Sequence, residues 1–239
     1  MKHIYLDKYF LFFLIIIIIT GNFNNFIVYF SLLFIHELGH AITGIILGYK
    51  LEKIIFYPLG GVTILNLPIN ISLKKELLIL IMGPLMQTGG YLILKNYYPF
   101  IKVYHYTLLI FNLLPLYPLD GGKILNILCN YKYNYLVSFK LVYIISIMMI
   151  TMLTIYNIFH FNLNLLFMIL LLINKLVKTY QNRFYYYQRL LLERLVYQYQ
   201  FSKIKNINNI KSFYRDKYHY INNVNEKEYL KKYFNNHII

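Results

Sequence analysis

Runs of about 20 apolar residues recur along this chain, and they restrict its fold more than any other feature. Inside hydrocarbon no water satisfies backbone N–H and C=O groups, so a crossing segment must pair them internally, as a helix does. The runs lie near residues 4–20, 26–48, 77–94, 103–119, 136–156 and 161–177. They predict a polytopic α-helical membrane protein with about six transmembrane helices. Composition agrees: 59% of residues are hydrophobic and only 14% charged, far from the balance of a water-soluble domain. The first run has the shortest uninterrupted core, residues 9–19, preceded by Lys2 and Lys8. No small-residue cleavage site follows it, so it reads as an uncleaved span rather than a signal peptide.

Charge sets the expected orientation. Of 24 Lys and Arg, only Lys95 and Lys102 fall in loops that six spans would place outside. The positive-inside rule then puts both termini in the cytoplasm. Residues 175–239 carry 13 Lys and Arg against Glu193, Asp216, Glu226 and Glu228, which accounts for most of the net charge of +15. Such an excess retains a tail on the cytoplasmic side and attracts anionic lipid. The basic residues are scattered among Tyr and Asn and form no nucleic-acid motif, so no nucleic-acid partner is expected. Three segments follow: a membrane core over 1–178, a basic juxtamembrane helix over 179–200, and a short tail over 201–239. The single cysteine, Cys129, permits no intrachain disulfide and reads as a small apolar residue.

Within the second run stands His36-Glu37-Leu38-Gly39-His40. On a helix, residues four apart share a face, so His36 and His40 converge on one point, and Glu37 can reach a metal-held water as general base. Three polar side chains in a membrane helix mark a functional site. A catalytic zinc site takes three protein ligands and keeps one position open. Asp120 is the candidate for the third: it is one of five acids before residue 175 and belongs to the stretch Asn112-Leu113-Leu114-Pro115-Leu116-Tyr117-Pro118-Leu119-Asp120-Gly121-Gly122. The two prolines and the Gly pair interrupt the helix there and aim the carboxylate. His105 and His160 stand alone in aromatic or Asn-rich surroundings, near the opposite membrane face in this topology. They read as packing or interface residues. His3, His219 and His237 lie in polar terminal segments and read as solvated.

HELGH at 36–40 together with Pro-Leu-Asp-Gly-Gly at 118–122 resembles the site-2 protease (M50) family of intramembrane zinc metalloproteases. Phe56-Tyr57-Pro58-Leu59-Gly60-Gly61, Gly83-Pro84-Leu85, residues 112–123 and residues 183–194 resemble its sporulation branch. The resemblance covers about residues 5–198. It implies that His36, His40 and Asp120 bind Zn2+ and that Glu37 activates water to attack a peptide carbonyl. It further implies that Asn112 contacts the substrate backbone, and that Pro115 and Pro118 shape the same loop. Residues 51–67 are similar to the family's membrane-associated β-hairpin, whose edge would hold an extended substrate. Implied partners are a membrane-associated protein substrate, a pro-sigma factor if the sporulation branch holds, and inhibitory or scaffolding membrane proteins. The bacterial cytoplasmic or forespore membrane is the implied location. In that branch the basic segment leads into a regulatory nucleotide-sensing module; residues 199–239 are too few for all of it and read as a reduced domain, with Asn-rich 206–209 and 222–225 as loops. The alternative is a non-catalytic scaffold or metal-handling protein on the same fold.

Overall fold

The computed structural model describes residues 4–57 and 60–235. Packing divides them into two units, one of residues 4–67 with Lys75–Leu114, the other of Pro68–Lys74 with residues 115–235.

The first unit starts with strand β1 (Ile4–Leu6) and helix α1 (Lys8–Ile19), followed by the long helix α2 (Phe23–Ile46). Strands β2 (Leu51–Tyr57) and β3 (Gly60–Leu65) come next, then helices α3 (Leu73–Leu94) and α4 (Ile101–Leu113). α2 is a mostly apolar run without proline, and it stops just before Gly48, whose φ of +89° is open to glycine at little cost. Gly48 N–H donates to Ile45 O at 2.9 Å and Tyr49 N–H to Gly44 O at 3.0 Å, a complete Schellman closure. The chain therefore turns out of the helix directly into β2. β2 pairs in parallel with β1 and antiparallel with β3. Phe56 of β2 inserts between Phe30 and Phe34 of α2, with ring centroids 5.0 and 5.9 Å apart. The core it joins contains Phe10, Leu32, Leu33, Ile54, Ile101 and Leu108.

Two expected spans come out shorter than the apolar runs that suggested them. Residues 4–6 are drawn into the sheet by Ile54–Phe56, and Asp7 N–H donates to Phe56 O at 3.0 Å, so α1 has only 12 residues. α4 has 13 because Leu114 adopts ψ 135° ahead of Pro115, whose ring disfavours helical geometry in the residue before it. Among the described residues, four helices are long and apolar enough to cross a membrane: α2, α3, Tyr135–Phe159 and Leu163–Gln181.

The second unit contains helix α5 (Asp120–Lys132), the two long helices just named, α6 (Tyr135–Phe159) and α7 (Leu163–Gln181), and α8 (Arg183–Val196). Asn134 caps α6 by accepting from Val137 N–H at 2.8 Å, and Asn162 caps α7 by accepting from Asn164 and Leu165 N–H. The tail then forms strands β4 (Ile204–Ile207), β5 (Tyr218–Ile221) and β6 (Val224–Asn225) and helix α9 (Glu226–Asn235). β5 pairs in parallel with β4 and antiparallel with β6. Asn222 and Asn223 are the two-residue hairpin turn, with φ of 50° and 65°.

This small sheet buries Ile207, Phe213, Ile221, Leu230 and Phe234 against Leu190 and Leu191 of α8. The reading of 206–209 and 222–225 as loops is corrected in part here, since Asn206 and Ile207 belong to β4 and Val224 and Asn225 to β6, and α8 supplies the apolar face that the tail sequence lacks by itself. His219 is corrected too: it is fully buried, and its Nδ1 lies 2.9 Å from Glu226 Oε2. Arg194 of α8 joins them. It pairs with Glu226 and donates to Asn70 Oδ1 and to the carbonyls of Tyr214, Arg215 and Lys217. His160 is exposed at the end of α6 beside Tyr156. His3 and His237 lie outside the described residues.

Candidate metal centre

α2 places His36 and His40 one turn apart on its buried face, with ring centroids 4.9 Å apart and the two Nε2 atoms 3.2 Å from each other. What the other ring nitrogens do decides the chemistry. His40 Nδ1 lies 2.8 Å from the carbonyl oxygen of Ile79, which can only accept, so Nδ1 carries the hydrogen. His36 Nδ1 lies 3.0 Å from Gln87 Oε1. The Gln87 amide is oriented by its other end, since Nε2 lies 3.0 Å from the carbonyl oxygen of His105 and must donate to it. Oε1 is therefore the acceptor, and His36 Nδ1 is also a donor.

Both imidazoles thus present an Nε2 lone pair to the same small volume. Two lone pairs at 3.2 Å repel, and a cation bound to both removes the conflict. Ligating histidines characteristically donate their remote N–H to a carbonyl or amide oxygen in this way, which fixes tautomer and ring orientation. The space itself is kept open by Gly83 of α3: a Cβ there would stand 2.4 Å from His40 Nε2 and 3.0 Å from His36 Nε2. These residues fit a divalent metal of zinc type.

Glu37 is buried beside the pair. Its Oε2 accepts from the Thr63 hydroxyl of β3 at 2.7 Å, and that hydroxyl is also 3.1 Å from the Glu37 carbonyl. Gly61 lets the strand come this close, since a Cβ there would lie 2.5 Å from Glu37 Cγ. Gly39 does the same for the helix pair, because its Cβ would meet the Met82 carbonyl oxygen at 2.4 Å. The first unit therefore assembles His36, Glu37 and His40 with Thr63, Ile79, Gly83 and Gln87.

Asn112 is half-buried on the last turn of α4 in this unit. Pro115, Pro118 and Asp120 belong to the second. Asp120 is the buried first residue of α5, where a carboxylate is favoured by the helix dipole, and Lys123 Nζ lies 3.3 Å from its Oδ1. Gly122 lets α5 start against the preceding segment, since its Cβ would fall 2.5 Å from the Leu116 carbonyl carbon.

Sequence reading overlooked Thr63 and Gln87, although a lone Gln inside the apolar run 77–94 was a visible signal. It read His105 as a packing or interface residue, and the packing part agrees with the structure. His105 is buried, stacked on Tyr91 at 4.3 Å, and one hydrogen bond from the amide that holds His36.

A helical membrane protein with a buried HExxH pair held in the metal-accepting tautomer defines the class. The model of Peptidase family M50 matches residues 90–156. A zinc metalloprotease of Methanocaldococcus jannaschii is 38% identical over 152 residues, 55% of this chain and 44% of the relative. Stage IV sporulation protein FB of Bacillus subtilis is 26% identical over 189 residues, 74% of this chain and 66% of the relative. Among solved structures, the site-2 protease from Methanocaldococcus jannaschii is similar with a TM-score of 0.57 at 28% identity, covering 74% of this chain and 91% of that one. The chain thus resembles peptidase family M50. It spans 44% and 66% of the lengths of the two curated relatives.

Proposed function

We propose that this chain is an intramembrane zinc metalloendopeptidase of the site-2 type, with His36, His40 and Asp120 as metal ligands and Glu37 as general base. The observation that carries the reading is the pair of Nε2 acceptors 3.2 Å apart with both Nδ1–H groups committed elsewhere. A buried carboxylate stands beside them on a helix long enough to cross a membrane. Asp120 completes the three-ligand set expected of a catalytic zinc. Bound zinc would polarise the scissile carbonyl and make hydroxide available near neutral pH. Glu37, held by Thr63, takes the proton from the attacking water and returns it to the leaving amine.

β3 is an edge strand of the β1-β2-β3 sheet among the described residues, and Thr63 ties it to Glu37. A substrate strand added at that edge would be extended, as cleavage requires. Asn112, Pro115 and Pro118 shape the substrate side. The hairpin is membrane-associated, and six passages, with α1 and α4 completed by non-helical segments, leave both termini cytoplasmic. Residues 1–178 form the protease core, 179–200 the juxtamembrane helix and 201–239 the cytoplasmic tail. Similarity to stage IV sporulation protein FB supports a membrane-associated pro-sigma factor as substrate, in a bacterial cytoplasmic or forespore membrane. Inhibitory or scaffolding membrane proteins would regulate it.

Co-expression with such a substrate tests the reading. Glu37→Gln should abolish processing while zinc content stays near one per chain. Processing that survives the substitution would refute catalysis by Glu37 and favour the scaffold or metal-handling alternative. Asp120→Asn should lower zinc content, and unchanged content would remove Asp120 from the ligand set.

A further inference from the structure

His36 and His40 have their tautomers set by different means. The partner of His40 is a backbone carbonyl, that of Ile79, which no side-chain substitution removes. The partner of His36 is the side-chain amide of Gln87, fully buried on α3, 51 positions away in the chain. Gln87 depends in turn on α4: its Nε2 lies 3.0 Å from the His105 carbonyl oxygen and 3.2 Å from His105 Nδ1. The His105 ring lies parallel to Tyr91, with 4° between the ring planes. Oxygen and both amide hydrogens of Gln87 thus have partners, and the geometry admits one amide orientation.

A buried amide in the apolar interior of a membrane protein is costly unless fully hydrogen-bonded. A plain packing role at position 87 would be filled more cheaply by Leu or Met. We infer that Gln87 is a positioning residue for the metal ligand His36, and that His105 anchors it. Gln87 holds His36 in the Nδ1–H tautomer so that Nε2 points to the metal, and His105 prevents the amide from flipping. A flipped amide would present N–H to His36 Nδ1, favour the Nε2–H tautomer and withdraw one ligand.

This inference rests on the zinc reading above, and the experiment keeps the two separable. Zinc affinity of the purified full-length protein is measured by competition with a chromogenic chelator, and the absorption spectrum of the Co2+-substituted protein reports ligand geometry. Gln87→Met, close in shape but without an acceptor, should weaken zinc binding about 10–100-fold and change the Co2+ spectrum. Gln87→Glu keeps the acceptor and should stay nearer to wild type than Gln87→Met. His105→Phe keeps the stack and the backbone carbonyl but loses the Nδ1 acceptor, and should fall between wild type and Gln87→Met. If Gln87→Met does not fold, Gln87→Asn, which retracts the amide by one methylene, should show the same loss.

Wild-type affinity and an unaltered Co2+ spectrum in folded Gln87→Met would overturn the inference, and in its place so would the same result for Gln87→Asn. If instead His36→Ala binds zinc as tightly as wild type, the metal reading itself fails, and the inference with it.

Discussion

Replacing Gly83 by Ala separates the metal centre from the helix that lines it. The added methyl would lie 2.3 Å from His40 Cε1 and 2.4 Å from His40 Nε2, about 1 Å inside ordinary van der Waals separation. The His40 ring must retreat by that amount, whereas metal–ligand distances tolerate only about 0.2 Å. Taking roughly 10–16 kcal/mol for a four-ligand zinc site, one ligand is worth about 3 kcal/mol, so zinc affinity should fall at least about 100-fold. Helix propensity runs the other way: Ala is favoured over Gly by up to about 1 kcal/mol in a helix interior. The metal-free protein should therefore remain folded. Gly89 on the same helix provides the control, since a Cβ there meets nothing within 4 Å. Gly89→Ala should leave zinc affinity unchanged and raise thermal stability slightly. The assay is chelator competition on detergent-purified protein, with circular dichroism melting of the metal-free form. Gly83→Ala binding zinc within a few-fold of wild type would refute the claim that this glycine keeps the space between the imidazoles open.

Thr63→Val keeps shape but removes the hydrogen bond to the Glu37 carboxylate, worth about 1.5–3 kcal/mol; turnover should fall about 10–100-fold at unchanged zinc content, measured on a cleavable substrate. Arg194→Met strips Glu226 of its buried cation and should destabilise the tail by about 3–5 kcal/mol. Hydrogen exchange would report it as lost protection in β5 and α9, with α2 unaffected. The same cluster predicts acid sensitivity. Burial pushes His219 below its ordinary value despite the hydrogen bond to Glu226, so the unfolded chain binds the proton more readily, and stability is lost as pH falls below about 6.5. Burial alone would raise Glu226, but its hydrogen bond with His219 and the charge of Arg194 outweigh that and hold it low; its contribution disappears below about pH 4.5. β5 and α9 amides, corrected for intrinsic exchange rates, should thus be less protected at pH 5.5 than at pH 7.5, and equal protection would contradict the His219 part of the account.

Features set by near neighbours were legible before any coordinates. His36 and His40 share a face because a helix repeats every 3.6 residues. Long apolar runs are likewise local; the helix ends at Gly48 and before Pro115 and the caps at Asn134 and Asn162 also depend on near neighbours, but the sequence reading did not locate them. Other failures trace to a partner far along the chain. Residues 4–6 look like the start of a span until β2 claims them. His219 looks solvated until Arg194 and Glu226 enclose it.

By itself, then, the sequence determined that this is a membrane protein carrying two imidazoles and a carboxylate on one helix face, since periodicity and hydropathy are properties of contiguous residues. Only the tertiary structure decided which nitrogen each imidazole offers. That choice rests on acceptors 39 and 51 residues away, the Ile79 carbonyl and the Gln87 amide, and on Gly83 leaving room between the rings. Tautomers follow from hydrogen-bond partners, and folding alone brings those partners into reach.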